Sequence, residues 1–211
     1  NDFFLKKDLK TYPYDLDLAH EKLEAAGYKL GADGIRRDPN GNPIEFDLIT
    51  NPGVPIRQIV GELFQEDLAA LGIKVNFNQI DFNVVVEKLT STFDWDAIII
   101  GLTGTFDPNG GSNVWLSSGN LHMWYPYQET PATEWEARID EVWLQAQRAM
   151  DPEVRRQWYF EFQDIVAENV PLFYTVTSEN MVAVRDHLRN AIPDGIGGGV
   201  ASAWNYIWID R

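Results

Sequence analysis

Cysteine is absent from this 211-residue chain, which excludes a disulfide, a thiolate-ligated zinc and a thiol nucleophile. The lack fits either redox compartment and does not place the protein. Basic residues are scarce: 17 Lys and Arg stand against 32 Asp and Glu, and a net charge of −15 repels phosphate backbones and anionic lipid. Nucleic acid is therefore excluded as an expected partner. Long hydrophobic runs are missing as well, the longest being a handful of residues where roughly 20 are needed to cross a bilayer. No internal repeat and no low-complexity tract appears.

What is present is aromatic: eight Trp, eight Tyr and eleven Phe in a chain long enough for one large α/β domain. Residues 117–128, SSGNLHMWYPYQ, concentrate this character in a stretch too broken for helix or strand. Such rings belong either to a core or to a surface that a ligand touches. The chain begins at Asn1 without Met, and NDFFLKKDLK lacks the apolar segment of a secretion signal, so it reads as a fragment or a processed product.

Local signals divide the chain clearly. Asp15 caps DLDLAHEKLEAAG, whose Leu16, Ala19, Leu23 and Ala26 recur at helical spacing up to Gly27. Two strand-like runs flank Asp38-Pro39-Asn40-Gly41 and predict a β-hairpin. A helix from Pro55 to Leu71, a turn at Gly72 and a strand through Ile73, Val75 and Phe77 follow. Asp81 caps a short helix holding Val84, Val85 and Leu89, and WDAIIIGL at 95–102 is a buried strand, so this strand–helix–strand unit predicts a parallel pair. The pattern then dissolves for nearly thirty residues, and loops longer than about 12–15 residues are usually functional or disordered. Helices over about 133–149 and 152–168 come next, the second capped by Asp151 with Pro152 at its first position and ended by Pro171. PLFYTVT and MVAVR are expected as a last strand pair, and GIGGG at 195–199 as a flexible joint before WNYIWID.

Taken in order, YDLDLAHEKLEAAGY, DGIRRDPNGNPIEFDL, LAALGIKVNF, FDWDAIIIGLTG and ENVPLFYTV resemble the carboxy-terminal lobe of the family 5 solute-binding proteins. These oligopeptide- and dipeptide-binding proteins deliver solutes to ABC importers. The resemblance implies an α/β fold, a mixed sheet with flanking helices in a lobe of the periplasmic binding protein type II kind. It implies a lobe over residues 1–185, a segment at 186–211 returning toward an absent amino-terminal lobe, and hinges near 1–12 and 176–187. A non-catalytic role follows, with an oligopeptide or an oligosaccharide as solute and permease subunits as partners. No cofactor or metal is implied. The location would be periplasmic or extracellular, with lipid anchoring left open.

In open α/β sheets ligands gather beyond the carboxyl ends of parallel strands. Peptide-binding relatives carry a Trp at the end of such a strand and, after two intervening residues, an Asp that pairs with the peptide's α-ammonium. Aligned on Gly101, those places hold Leu102 and Thr105, which lack both features, and Asp107 is a substitute two residues on. The expected ligand-binding set is therefore Leu102, Thr103, Thr105 and Asp107, with Trp115, Trp124, Tyr125 and Tyr127 from the aromatic segment and Asn51 from the end of the preceding strand.

Enzyme readings find less support. Asp94 and Asp96 would share one face of a strand as a glycosidase pair, roughly 7 Å apart at the backbone, yet Asp at a strand entry more often solvates a turn. His20-Glu21 begins like HExxH but has Glu24 where the second His should stand. DPNGNPIEFD lacks the Gly and Glu of a calcium loop, with Pro43 and Ile49 at the places that matter. No G-x-S-x-G elbow occurs, and Val200 after the Gly run fails the dinucleotide pattern.

Overall fold

The computed structural model describes residues 2–102, 105, 107–177, 181–192 and 205–210. Asp15 caps the first helix, α1 (Leu16–Ala25), by accepting the Leu18 N–H at 2.9 Å, and Gly27 leaves it in the left-handed region at φ 91°. Next, β1 (Lys29–Leu30) and β2 (Arg36–Arg37) pair antiparallel. The turn at Asp38 forms because its carboxylate accepts the N–H groups of Asn40 and Asn42 at 2.9 and 2.8 Å. The hairpin expected around this turn is reduced to one antiparallel bridge, Arg37 to Pro43. Proline has no N–H to continue a ladder, so the antiparallel partner of β2 is β1 instead.

The following strand, β3 (Glu45–Thr50), is the centre of a parallel three-stranded sheet. It pairs along its whole length with β4 (Lys74–Gln79) and at Leu48 and Ile49 with β5 (Ala97–Ile98), giving the order β4–β3–β5. Leu48, Ile49 and Thr50 are buried one after another, which requires cover on both faces, since successive side chains point opposite ways. Parallel pairing was legible, but β4 and β5 are not neighbours as the strand–helix–strand reading implied. β3 lies between them because its apolar end needs burial on both sides, whereas β4, with exposed Lys74, Asn78 and Gln79, suits an edge.

Helix α2 (Pro55–Ala70) joins β3 to β4 and ends before Gly72 at φ 79°. Its Gly61 faces the Phe77 ring of β4, where a Cβ would come within 2.3 Å of the ring. Gly61→Leu is therefore expected to destabilise the protein by about 2–3 kcal/mol through overpacking, although helix propensity alone favours the change. Thermal unfolding with an unchanged or raised melting temperature would refute this contact as the reason for the glycine. Helix α3 (Phe82–Glu87), capped by Asp81, leads to β5.

Beyond the sheet, α4 (Ser112–Trp115) is a single turn inside the irregular stretch. Helices α5 (Glu134–Arg148) and α6 (Pro152–Asn169) begin at Thr133 and Asp151, whose side chains accept N–H groups of their first turns. They pack through Ile139, Trp143, Ala146, Tyr159 and Val166, with Trp143 edge-on to Tyr159 at 5.4 Å and to Phe162 at 4.9 Å. The strand pair expected from PLFYTVT and MVAVR does not form among the described residues. A strand needs an edge to bond with, and Phe173, Tyr174, Val176 and Met181 stand exposed without one. The last ladder is instead β6 (Leu188–Arg189) with β7 (Trp208–Ile209), antiparallel. GIGGG and Trp204 lie outside the described residues.

Candidate functional site

At the carboxyl end of the sheet the chain leaves β3 through Asn51 and leaves β5 through Gly101 and Leu102. The two exits are tied together: the Thr50 hydroxyl donates to the Ile99 carbonyl at 2.9 Å. Asn51 accepts a hydrogen bond on its side-chain oxygen from the guanidinium of Arg57, in the first turn of α2. The same guanidinium passes Gly101 so closely that a Cβ there would lie 2.7 Å from Nη2. Arg57 is half-buried, and among the described residues no carboxylate pairs with it.

Arg57 was not among the residues expected from sequence. A signal was available, because a cation in the first turn of a helix opposes the macrodipole and calls for another reason to be there. Moreover α2 has no capping side chain and no acidic residue in its first turn, unlike α1, α5 and α6, each of which has both.

The loop beyond β5 is fixed at its base. The Thr105 hydroxyl donates to the Asp107 carbonyl at 2.6 Å, and both carboxylate oxygens of Asp107 receive the Arg155 guanidinium at 2.6 and 2.7 Å. Burial pushes the Asp107 carboxyl up, but Arg155 and the Asn109 N–H outweigh it and hold it below the usual carboxylate range. Its charge is thus answered within the protein by α6. Asn109 in turn accepts from Trp143 Nε1 at 3.2 Å and Gln147 Nε2 at 2.7 Å, which joins this loop to α5. Leu102 is exposed, and Thr103 lies outside the described residues.

The aromatic segment divides. Trp115 stands edge-on to Phe162 at 4.9 Å, and Trp124 lies 4.0 Å from His122, 5.9 Å from Trp115 and 6.2 Å from Trp135. The Trp124 indole N–H donates to the Glu136 carboxylate at 3.0 Å. Val114 and Met123 sink into a cluster with Leu89, Trp95, Ile98 and Ile100, which glues the segment to the flank of β5. Both tryptophans are therefore half-buried anchors. Tyr125 and Tyr127, by contrast, point into solvent at 55% and 63% exposure, so the segment is core through its tryptophans and surface through its tyrosines.

The two carboxylates of the hydrolase reading have structural partners. Asp94 pairs with Lys88 at 2.5 Å, and Asp96 accepts the Asp47 N–H at 2.9 Å. Both precede β5, at the end of the strand opposite Leu102.

Residues 2–122 match the family model of the bacterial extracellular solute-binding proteins, family 5 Middle. A probable ABC transporter-binding protein of Deinococcus radiodurans is 31% identical over 175 residues, covering 72% of this chain and 29% of that protein. The oligopeptide-binding protein AppA of Bacillus subtilis is 25% identical over 190 residues, covering 86% of this chain and 33% of its own. Its solved structure in complex with a nonapeptide superimposes with a TM-score of 0.67 at 25% identity over 80% of this chain and 33% of that one. MelB of Agrobacterium fabrum, solved with stachyose, gives 0.70 at 18% identity over 79% of this chain and 26% of that one. The chain thus spans about a third of the length of the curated relatives it matches.

Proposed function

This chain belongs to the bacterial extracellular solute-binding proteins of family 5, and from that premise we propose that it is one lobe of a clamp that closes on a solute and presents it to an ABC importer. Hinge closure is a known route for binding proteins of this general kind: solute held between lobes favours the closed form over the open one. Residues 1–185 serve as the lobe in this reading, and 186–211 return toward a second lobe. No bond is made or broken. Permease subunits are the partners, and the outer side of the cytoplasmic membrane is the place of action.

The observation that carries the reading is Arg57. Among the described residues it is an uncompensated guanidinium, held by Asn51 at the end of the sheet where ligands of α/β folds collect. It suits a solute with an anionic end, such as the carboxylate of an oligopeptide. Asn51, Arg57, Leu102 and Thr105 form the sheet-end part of the proposed site, and Tyr125 and Tyr127 add aromatic surface. Trp115, Trp124 and Asp107 support this surface from behind through the contacts described above. An oligosaccharide is the second reading, favoured by the two solvent-facing tyrosines, since sugar faces stack on such rings.

The test is an amide-shift titration of the 211-residue chain, a method that sees weak binding, with peptides, the same peptides amidated at the carboxyl end, and oligosaccharides. Peptides are expected to move the amides of Asn51, Gly101 and Leu102, and amidation or Arg57→Gln is expected to weaken the effect at least tenfold without altering the melting temperature. Equal response to free and amidated peptides would remove Arg57 as the reader of an anionic end. Response to oligosaccharide alone would reject the peptide reading.

A further inference from the structure

Glu136, at the third position of α5, is 2% exposed and accepts hydrogen bonds from four side chains of the segment before it. One oxygen takes His122 Nε2 at 3.0 Å, Trp124 Nε1 at 3.0 Å and Gln128 Nε2 at 2.9 Å, and the other takes the Thr133 hydroxyl at 2.7 Å. His122 is fully buried, and its other ring nitrogen, Nδ1, lies 2.8 Å from the Val114 carbonyl. Both ring nitrogens therefore face atoms that only accept. A neutral imidazole has one donor and one lone pair, so either tautomer would turn a lone pair on a carbonyl or a carboxylate in a fully buried site. Only the imidazolium satisfies both contacts. The arrangement at His20 is the opposite: its Nδ1 faces an Arg36 guanidinium at 2.8 Å, which can only donate, so there the ring must be an acceptor.

The other carboxylate facing this segment is Asp140, a turn further along α5, and it is occupied by the Ser117 N–H at 2.9 Å and the Ser117 hydroxyl at 2.5 Å. Gln128 carries the network on, accepting the Ala132 N–H at 2.6 Å and donating to the Tyr125 carbonyl at 3.1 Å. The backbone on both sides of Tyr125 and Tyr127 is thus fastened to α5 through Glu136.

We propose that Glu136 and a doubly protonated His122 form a buried ion pair that positions the 117–128 segment, so that Tyr125 and Tyr127 are presented outward to the solute. Glu136 acts through its donors and is a positioning residue. The positioning role rests on the solute-binding reading; the charge state of His122 does not.

The experiment uses the whole 211-residue chain, labelled with nitrogen-15, at pH 7. The long-range proton–nitrogen spectrum of His122 is expected to show both ring nitrogens protonated, while His20 shows one. A neutral His122 would overturn the ion pair, and this measurement needs no variant. In Glu136→Gln, which removes the negative charge that the imidazolium pairs with, His122 is expected to become neutral and the Tyr125 and Tyr127 amides to shift. In that variant peptide-induced shifts should be lost at the two tyrosines and kept at Asn51 and Leu102. Unmoved tyrosine resonances in the variant would overturn the positioning role. If E136Q does not fold, His122→Gln provides the same tyrosine readout, because its amide restores one donor to the carboxylate without the charge. No shift with either peptide or oligosaccharide anywhere in the unaltered chain would sink the solute reading and the positioning role with it, leaving the charge state to the His122 spectrum.

Discussion

Arg36→Ala is expected to lower the stability of the protein by about 3–5 kcal/mol, the cost typical of removing one partner from a buried charged network. Arg36 is fully buried, and its guanidinium ties α1 to the end of α2 and to the turn that follows α1. Nε donates to the Leu71 carbonyl at the end of α2 at 2.6 Å, Nη1 to the Tyr28 carbonyl at 2.7 Å and to Glu24 at 3.0 Å, and Nη2 to His20 on α1 at 2.8 Å. Its backbone N–H donates to the Gly72 carbonyl at 2.8 Å, and its carbonyl accepts the Ile44 N–H at 2.9 Å. One side chain therefore satisfies the Leu71 carbonyl, just past the last turn of α2, and the Tyr28 carbonyl beyond α1. Alanine leaves those carbonyls buried and unbonded, and each such orphan costs about 1–3 kcal/mol. Arg37 is the control: it pairs with Asp33 on the surface, and its removal is expected to shift a urea midpoint far less. Equal midpoint shifts for the two variants would refute the assignment of Arg36 as the clasp.

Helices were legible because their signals are local. Asp15, Asp81 and Asp151 each cap the helix whose start they mark, and Gly27 and Gly72 each close one. Strand order was not, because it depends on partners distant in the chain. Nothing within KVNFNQ or WDAIIIGL states that β3 lies between them, and PLFYTVT has strand composition with no edge to join. The carboxyl end of the sheet was legible as a candidate site from chain direction, which led to Asn51, while Leu102 came from the family resemblance aligned on Gly101. The anchoring role of Trp115 and Trp124 was not legible, because an irregular segment has no periodicity to separate a ring that anchors from one that is offered. Glu136 was missed although Thr133-x-x-Glu136 is the spacing of a capping box at the head of a helix. The pattern of α5 is dominated by its apolar face, Trp135, Ile139, Val142 and Trp143, which gives no sign that Glu136 is buried beside it.

That buried carboxylate sets the second large effect, a loss of stability in acid. Burial pushes the Glu136 carboxyl up, but the hydrogen bonds from His122, Gln128, Thr133 and Trp124 outweigh it and bring it from an ordinary 4.5 down to about 2. In the unfolded chain the same group takes up its proton near its ordinary value, so between these two points the unfolded state binds the proton and the folded state does not. Stability from Glu136 is therefore complete above about pH 4.5 and drains as the pH falls toward 2, and the difference in proton affinity amounts to about 3 kcal/mol. Other paired carboxylates, Asp107 among them, slope the same way, and a change in the charge of His122 would add its own slope, so the measurement compares Glu136 with Glu136→Gln at each pH in chains that both carry His122→Gln. In that background Glu136 is expected to stabilise the protein at pH 6, with the gap to Glu136→Gln narrowing steadily below about pH 4.5 as the carboxylate is titrated and the amide is not. A gap that stays constant from pH 6 to pH 3 would mean that the charge of Glu136 contributes nothing and that shape alone holds the segment on α5.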